Sequence, residues 1–282
     1  MKFEISAIPR IVRAVSIALQ VVAVANALYL VEHIVTDVIE GTQTAPPRAV
    51  AMGLLFFSGV PWIIVARVRR ALEGTFETND THIILSLRRS RLEIPIASIK
   101  AFRPLVIPLP WPGLGLDMRS GHLFRYRLLV NEPGALLSAL FPYIEAARPA
   151  LRSPVIAYAD AKWKYTWHHR AVALAKWGVF PLVLAVILFR LDQYIMFGGA
   201  FGQYYLQGLR PYVESFVTYW AASASYLVLY ASVVRLVVEP TVFAATWLFA
   251  ARAGLLRKIG EGLCQFAYFV LIPALVALRL LN

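Results

Sequence analysis

The sequence is poor in charged residues, in acids and in cysteine. Only 16% of its 282 residues are charged, while 59% are hydrophobic and the mean hydropathy is +0.64; this composition excludes an ordinary soluble globule. The 16 Asp and Glu are outnumbered by 28 Lys and Arg, which gives a formal charge of +12. A single cysteine, Cys264, excludes an internal disulfide. An apolar and basic chain of this kind is typical of a membrane protein.

Sequence motifs of known catalytic chemistry are also missing. No Gly-x-Ser-x-Gly, His-Glu-x-x-His, paired-cysteine, Walker or dinucleotide-binding pattern occurs. The adjacent His168 and His169 point apart and have no further ligand at suitable spacing, so neither a metal nor a cofactor is predicted. The middle of each long apolar segment lacks an acidic residue, which argues against a pump or coupled transporter. The sequence therefore favours a non-enzymatic protein, and no catalytic residue is predicted.

Long apolar segments are what the sequence has instead. A bilayer core about 30 Å thick is crossed by roughly 20 apolar residues in a helix. A shorter apolar stretch at 240–251, between Glu239 and Arg252, predicts an interfacial helix, with a sixth span as the alternative. The five segments that predict transmembrane helices are 14–31, 49–66, 171–189, 215–234 and 262–278.

The distribution of Lys and Arg predicts the orientation, since cytoplasmic segments of membrane proteins are enriched in both. With five spans and the N-terminus inside, the C-terminus is outside, and the segment between the second and third spans is cytoplasmic. Most of the positive charge then faces the anionic leaflet of an inner membrane, which suits lipid headgroups better than nucleic acid. The basic residues left outside are Arg48, Arg190, Arg210 and Arg279.

Between the second and third spans the apolar runs give way to an alternating pattern, which is typical of half-buried strands. The last of these strands would place Arg125 and Arg127 on one side. A helix at 135–144 follows, so that the insert is predicted to be a small antiparallel sheet with a C-terminal helix. The predicted strands are 74–78, 81–87, 92–94, 115–118 and 122–129.

Part of this insert resembles a known family. The stretch FETNDTHIILSLRRSRLEIPIASIKAF, residues 76–102, is similar to the bacterial PH-like (pleckstrin-homology-like) domain found in membrane proteins. The matching features are the threonine-initiated strand at 81–87 and the Ile-Pro-Ile-Ala-Ser-Ile segment at 94–99. The resemblance implies a barrel-like sheet attached to transmembrane helices in a bacterial membrane protein, and it implies no particular activity.

These observations predict a fold class: a helical membrane protein with about five transmembrane helices and an inserted small α+β PH-like domain. The organisation has four parts. They are an N-terminal transmembrane helix pair at 1–70, a cytoplasmic PH-like domain at 71–150, a basic aromatic interfacial linker at 151–170, and a C-terminal region at 171–282 with three transmembrane helices and an interfacial helix.

Basic and aromatic residues in the insert and the linker are candidates for contact with lipid headgroups or with a partner protein. The proline-rich loop at 103–113 carries Trp111, which could enter the bilayer, fill a pocket on a partner, or pack on its own domain or against the nearby spans. The linker alternates cations with aromatics, as segments at the headgroups do. The candidate residues are Arg88, Arg89, Arg91, Arg103, Trp111, Arg119, Arg125, Arg127, Lys162, Trp163, Lys164 and Trp167.

Two functions fit this reading. The favoured one is a non-enzymatic scaffold, accessory or assembly protein, whose helices associate with another membrane subunit while the PH-like domain contacts the anionic cytoplasmic leaflet or a partner. The alternative is a membrane-embedded enzyme or transporter that handles a lipid or small molecule at the cytoplasmic interface. That alternative requires ionisable side chains to cluster there, drawn from Arg67, Arg70, Glu73, Lys162, Lys164, His168 and Glu239.

Overall fold

The computed structural model describes residues 2–42, 44, 46–79, 81–88, 90–166 and 170–281. The chain divides into two compact units. The first unit comprises the described residues of 1–21, 61–166 and 237–282, and the second comprises those of 22–60 and 167–236.

The described residues form helices and one antiparallel sheet. The helices are α1 (Arg10–Glu40), α2 (Pro47–Leu54), α3 (Val60–Ala71), α4 (Pro133–Leu140), α5 (Arg148–Leu151), α6 (Pro154–Tyr165), α7 (Arg170–Leu174), α8 (Phe180–Phe197), α9 (Gly202–Gln207), α10 (Leu209–Leu248), α11 (Ala253–Phe266) and α12 (Ile272–Leu281). The strands are β1 (Lys2–Pro9), β2 (Glu73–Thr78), β3 (His82–Leu87), β4 (Ser90–Pro95), β5 (Ile99–Pro104), β6 (Gly113–Met118) and β7 (Tyr126–Leu129).

Four helical segments are long and apolar enough to cross a membrane. They correspond to the first four apolar segments predicted from the sequence, the third without residue 171. The fifth predicted segment, 262–278, lies in the helical run from α11 to α12. The four segments are Arg10–Asp37, Pro47–Ala71, Val172–Phe197 and Leu209–Leu248.

Three π-helical turns interrupt these helical runs, at Leu55–Gly59, Ala175–Val179 and Ala267–Leu271. Each is followed two residues later by a proline, at 61, 181 and 273. Proline lacks an N–H and its ring clashes with the carbonyl four residues earlier in a regular helix. Because a π turn rearranges the hydrogen bonds of the preceding turn, each proline is accommodated without ending the helix.

The segment at 240–251 differs from its expected form as an interfacial helix. Pro240 lies inside α10, which continues without interruption to Leu248. A short 3-10 turn at Ala250–Arg252 then separates α10 from α11. The residues after Glu239 are therefore the C-terminal end of a 40-residue helix and not a separate element.

The sheet belongs to the first unit and has seven strands in the order β4-β3-β2-β1-β7-β6-β5. All neighbouring strands are antiparallel, as the alternating pattern predicted. The edge strands β4 and β5 are joined by the three residues Ile96–Ser98 alone, so the sheet must curl to bring its two edges near each other. The last predicted strand is shorter than 122–129, since only an isolated bridge at Leu123 precedes β7.

The N-terminal strand β1 was not predicted from the sequence. It occupies the centre of the sheet, where it pairs with both β2 and β7. Its Ile5 and Ala7 are buried in the main core. The strand ends at Pro9 and α1 begins at Arg10, so the sheet and the first apolar helix are joined without a linker.

One face of the sheet packs against α4, α5 and α6 and forms the main core of the first unit. Each fully buried Leu or Phe side chain there contributes about 1.5–3 kcal/mol relative to exposure. The predicted interfacial linker is largely the helix α6, which buries Val155, Ile156 and Tyr158. Core residues include Phe76, Leu85, Phe102, Leu116, Leu128, Leu136, Leu140 and Ile156.

A polar contact joins two apolar helical segments in the second unit. The Nδ2 of Asn26 donates to the Ser58 Oγ at 2.9 Å and to the Gly53 carbonyl at 3.3 Å. The Ser58 hydroxyl donates in turn to the Ala23 carbonyl at 2.9 Å. Because unpaired polar groups are costly in lipid, these bonds hold α1 against the run from α2 to α3.

A carboxylate from α6 caps the start of α4 in the first unit. The Gly134 N–H donates to Asp160 Oδ1 at 3.0 Å, and a β carbon at Gly134 would overlap this carboxylate. Burial raises the pKa of Asp160 above its ordinary value of 3.8; the bond from Gly134 opposes the rise, and the charge of Glu132 adds to it.

The raised pKa predicts a pH dependence of stability. Because the ionised form of Asp160 is disfavoured in the folded state, the free energy of unfolding should fall as pH rises from 3.8 through the folded-state pKa. Asp160→Asn, which keeps the accepting oxygen, should remove this decline. Thermal unfolding in detergent at a series of pH values measures it, with the exposed Glu145→Gln as control. An unchanged pH profile in Asp160→Asn would contradict the assignment.

Candidate functional site

The predicted contact residues are spread over several parts of the first unit. Arg89 and Trp167 lie outside the described residues. The side chain of Arg91 pairs with Glu93 at 3.1 Å, and that of Arg125 lies over the Tyr126 ring at 5.9 Å. The members that are exposed are Arg88, Arg91, Arg103, Arg119, Arg125, Trp163 and Lys164.

Arg103 and Arg127 are brought together by the sheet. In the register of the strands Arg103 lies opposite Gly115. Leu114 lies opposite Leu128, which makes Gly115 the neighbour of Arg127 on the other side. Residues opposite each other in antiparallel strands point to the same face. The two guanidinium groups therefore flank a position that has no side chain, and a β carbon at Gly115 would overlap Arg127 Nη1.

The positive charges around Arg103 and Arg127 are not matched by an equal number of negative charges. The Arg103 guanidinium pairs with Asp117 Oδ2 at 2.9 Å. Arg127 Nη1 and Asp117 Oδ1 are both buried and have no hydrogen-bond partner among the described residues. Burial lowers the pKa of Arg127; the charge of Arg10 lowers it further, Asp117 opposes, and Arg103 adds to the lowering. Positive charge is thus in excess at this face of the sheet.

Arg13, in the first turns of α1, holds the proline-rich loop. Its Nε donates to the Leu109 carbonyl at 3.2 Å, and its Nη2 donates to the carbonyls of Ile107 at 2.8 Å and Leu109 at 3.0 Å. The apolar side chains of Val106, Ile107 and Leu109 are 62%, 58% and 44% exposed. We call these three residues the loop tip. It is an exposed apolar surface at the start of the first apolar helix.

Trp111 is not part of the loop tip. Its ring packs against the small cluster of Ile8, Leu105 and Leu129, and the Arg69 guanidinium lies over it, 4.6 Å from the ring centroid. Of the roles considered for Trp111, the structure supports packing, both on its own domain and against the end of α3, which carries Arg69. The sequence signal for the loop tip was the apolar run 105–107 before Pro108. Among the apolar residues of this loop, only the tryptophan was named as a candidate from the sequence.

A second cluster of charged side chains lies between α6, the end of α10 and α11. Arg257 and Glu261 are 1% and 6% exposed. The Arg257 Nη2 donates to Glu239 Oε1 at 2.9 Å, to Thr166 Oγ1 at 3.1 Å and to Glu261 Oε1. Lys162 Nζ donates to Glu239 Oε2 at 3.0 Å. We call this set the ion cluster.

In the ion pairs described for the cluster, the two cations Arg257 and Lys162 match the two carboxylates Glu239 and Glu261. Burial would lower the pKa of Arg257, but the hydrogen bond to Glu239 and the two carboxylate charges outweigh it and raise the pKa. The charged form of Arg257 is therefore favoured in this environment. The arrangement is that of a clamp between helices, with few polar atoms left for a ligand.

The ion cluster only partly matches the ionisable group that the alternative function requires. Lys162 and Glu239 are in it, whereas His168 lies outside the described residues. Arg257 and Glu261 were missed by the sequence analysis. Their spacing of four on a helix that also carries a strongly apolar face was a signal for a pair, but their burial could not be read from it. Among the described residues no group of three or more His, Cys, Asp or Glu could hold a metal ion.

Comparisons with known proteins do not identify the chain. No protein-family model matches the sequence, and neither the curated proteins nor the solved structures contain a match. Function must therefore be inferred from the residues and their geometry.

Proposed function

We propose that this protein is a non-enzymatic, multi-pass membrane protein of the scaffold, accessory or assembly type, whose sheet domain docks on the anionic cytoplasmic leaflet. The observation that carries the proposal is the attachment of the loop tip to Arg13. Arg13 stands at the start of an apolar helix of membrane length. A helix that crosses a bilayer places such an arginine at the headgroups. The carbonyls of Ile107 and Leu109, within hydrogen-bond distance of it, then lie at the same depth.

Further features support the finer points of this proposal. The curled sheet, its strand order and the helix that follows it support a PH-like domain. The apolar helical run from α11 to α12 supports a fifth span, and the basic flanks support a cytoplasmic N-terminus and sheet domain in a bacterial inner membrane. The many exposed apolar side chains of the long helices support contact with lipid and with another membrane subunit.

The depth of the loop tip tests the proposal. Cys264 is the single cysteine of the sequence, so Cys264→Ser allows a fluorescent label to be placed at Ile107→Cys in protein reconstituted into anionic vesicles. Lipids spin-labelled high on the acyl chain should quench the label at residue 107 strongly. A matched label at Ala97→Cys, also an exposed site of the sheet domain, should be quenched far less. Equal, weak quenching at both sites would refute docking through the loop tip.

The second candidate function is a membrane enzyme or transporter with its site at the ion cluster. The observation that favours it is the convergence of Tyr158, Lys162, Glu239 and Arg257. Its weakness is the charge balance, because every carboxylate in the cluster is already held by a cation. We therefore assign the ion cluster to stability and the basic face of the sheet to function.

A further inference from the structure

We propose that Arg103, Gly115 and Arg127, together with Arg10 and Arg13, form a binding site for a single phosphate group of an anionic lipid headgroup. We call this set the arginine row. The inference rests on the proposed docking for the source of the phosphate, and it adds to that function a defined ligand group and a stoichiometry of one.

The first argument is the excess of positive charge. The arginine row contains four guanidinium groups. Asp117 pairs with one of them, that of Arg103, through its Oδ2. The charges of Arg10 and Arg103 act on Arg127, and that of Arg127 acts on Arg13. The first turn of α1 has no acidic residue, so the N–H groups at this helix end add further positive potential. A bound anion offsets the repulsion among these groups.

The second argument is the shape of the surface. Gly115 lies between Arg103 and Arg127 in the register of the strands. Because it has no side chain, the Arg127 guanidinium lies across it toward Arg103. The Arg127 guanidinium over this strand position and the Arg103 side chain on the neighbouring strand provide planar sets of N–H donors, which match the oxygens of a phosphate. Any larger residue at 115 would displace the Arg127 side chain.

The third argument is an unpaired donor. Arg127 Nη1 is buried and has no hydrogen-bond partner among the described residues. A buried donor without a partner is destabilising, because it has lost its hydration and no hydrogen bond replaces it. The Arg127 guanidinium carries this unpaired donor and is also acted on by the charges of Arg10 and Arg103. Both effects are unfavourable unless an anion binds there. Arg257 in the ion cluster also has a buried atom without a partner in the described part of the chain, its Nε, but two carboxylates match its charge. Arg127 differs because the cations Arg10 and Arg103 act on it.

The fourth argument is position. Arg13 connects the arginine row to the loop tip through its bonds to the carbonyls of Ile107 and Leu109. When the loop tip enters the outer part of the acyl region, the guanidinium groups beside it meet the phosphate layer. This position favours a lipid phosphate over a soluble one.

The test uses the full-length protein in mild detergent and native mass spectrometry, with dioctanoyl phosphatidic acid, dioctanoyl phosphatidylcholine and inorganic phosphate as probes. We expect one phosphatidic acid to bind with preference over phosphatidylcholine. Arg127→Gln should weaken this binding about tenfold, which corresponds to about 1.4 kcal/mol. Arg119→Gln is the matched control, because it removes the same charge from an exposed site outside the row, and it should change the affinity less than about twofold.

Two further variants keep the test decisive if Arg127→Gln unfolds the sheet. Arg103→Gln alters a side chain that is 65% exposed and should also weaken phosphatidic acid binding. Gly115→Ala leaves the charge unchanged and should weaken it by displacing the Arg127 guanidinium. Equal losses in Arg103→Gln and Arg119→Gln would show a general charge effect and overturn the site.

The remaining outcomes separate the source of the phosphate from the docking function. Inorganic phosphate that competes fully at millimolar concentration would overturn the lipid source. Failure of the docking proposal would appear as weak quenching at residue 107 in vesicles. The soluble dioctanoyl lipids reach the arginine row without docking, so their binding reports on the site alone. If the wild-type protein binds phosphatidic acid no better than phosphatidylcholine, while the label at residue 107 is strongly quenched, the phosphate site is refuted and the docking proposal stands.

Discussion

Arg257→Met is expected to lower the free energy of unfolding of the first unit by about 3–5 kcal/mol, as the removal of one partner from a buried ion pair does. Arg257 is 1% exposed and donates to Glu239, Thr166 and Glu261. Its loss removes the Arg257 guanidinium from the buried Glu261 carboxylate. Lys162 still holds the Glu239 carboxylate, so the penalty falls mainly on Glu261.

Thermal unfolding and limited proteolysis in detergent measure this effect. The matched control is Arg252→Met, an arginine of the preceding 3-10 turn that is exposed and should change the midpoint little. The double variant Arg257→Met with Glu261→Gln should recover part of the loss, because the negative charge that Arg257 faced is then removed together with the cation. Equal midpoints for Arg257→Met and Arg252→Met would show that the ion cluster does not hold α6, α10 and α11 together.

Ala7→Asp is the second change with a large expected effect, since it should unfold the sheet. Ala7 is 0% exposed in the centre of β1, and β1 joins the two halves of the sheet through its pairing with β2 and β7. A carboxylate at this position would be buried without a cation, at a cost of several kcal/mol. The backbone N–H of residue 7 also donates to the carbonyl of Leu72, the residue after α3. The strand therefore cannot move away without breaking this hydrogen bond.

Limited trypsin digestion of protein in vesicles tests this prediction, because the sheet is rich in Lys and Arg. In Ala7→Asp we expect rapid cleavage between residues 88 and 127. The matched control is Ala97→Asp, the same change at an exposed residue, which should leave the sheet resistant. A resistant sheet in Ala7→Asp would mean that β1 is dispensable for the sheet and would contradict this prediction.

The position of β1 connects the sheet directly to the first apolar helix, which has a consequence for the proposed docking. Pro9 ends the strand and Arg10 begins α1, and on the other side Leu72 alone separates α3 from β2. The sheet is thus held by two apolar helices through connections of one residue or none. In the proposed docking, these short connections would keep the loop tip and the arginine row close to the first residues of α1 and the last residues of α3. A docking domain on a long flexible linker would bind the same lipids without this constraint.

The apolar helices and most of the strands could be predicted from the sequence, because each depends on a local pattern. A segment such as 49–66 is identified by its length without charge, which is set by the thickness of the bilayer. The strand β3 follows from the alternation of Ile83, Leu85 and Leu87. The π turns were not predicted, although each is followed by a proline within an apolar run.

The candidate site was predicted only in part. Arg103 and Arg127 were named from composition and alternation, but so were Arg88 and Arg119, which the fold places elsewhere. Gly115 carries no local signal for a binding site. Its role depends on the antiparallel register that sets it between two arginines far apart in the chain.

The sequence alone determined where the chain is apolar, where it alternates and where positive charge accumulates, because these are properties of neighbouring residues. Tertiary structure decided that an N-terminal strand completes the sheet, that Arg13 holds the loop tip, and that Arg257 is buried among carboxylates. The physical reason is that strand pairing, ion pairing and burial join residues from distant parts of the chain, and the partner of a strand or a charge is fixed by the fold.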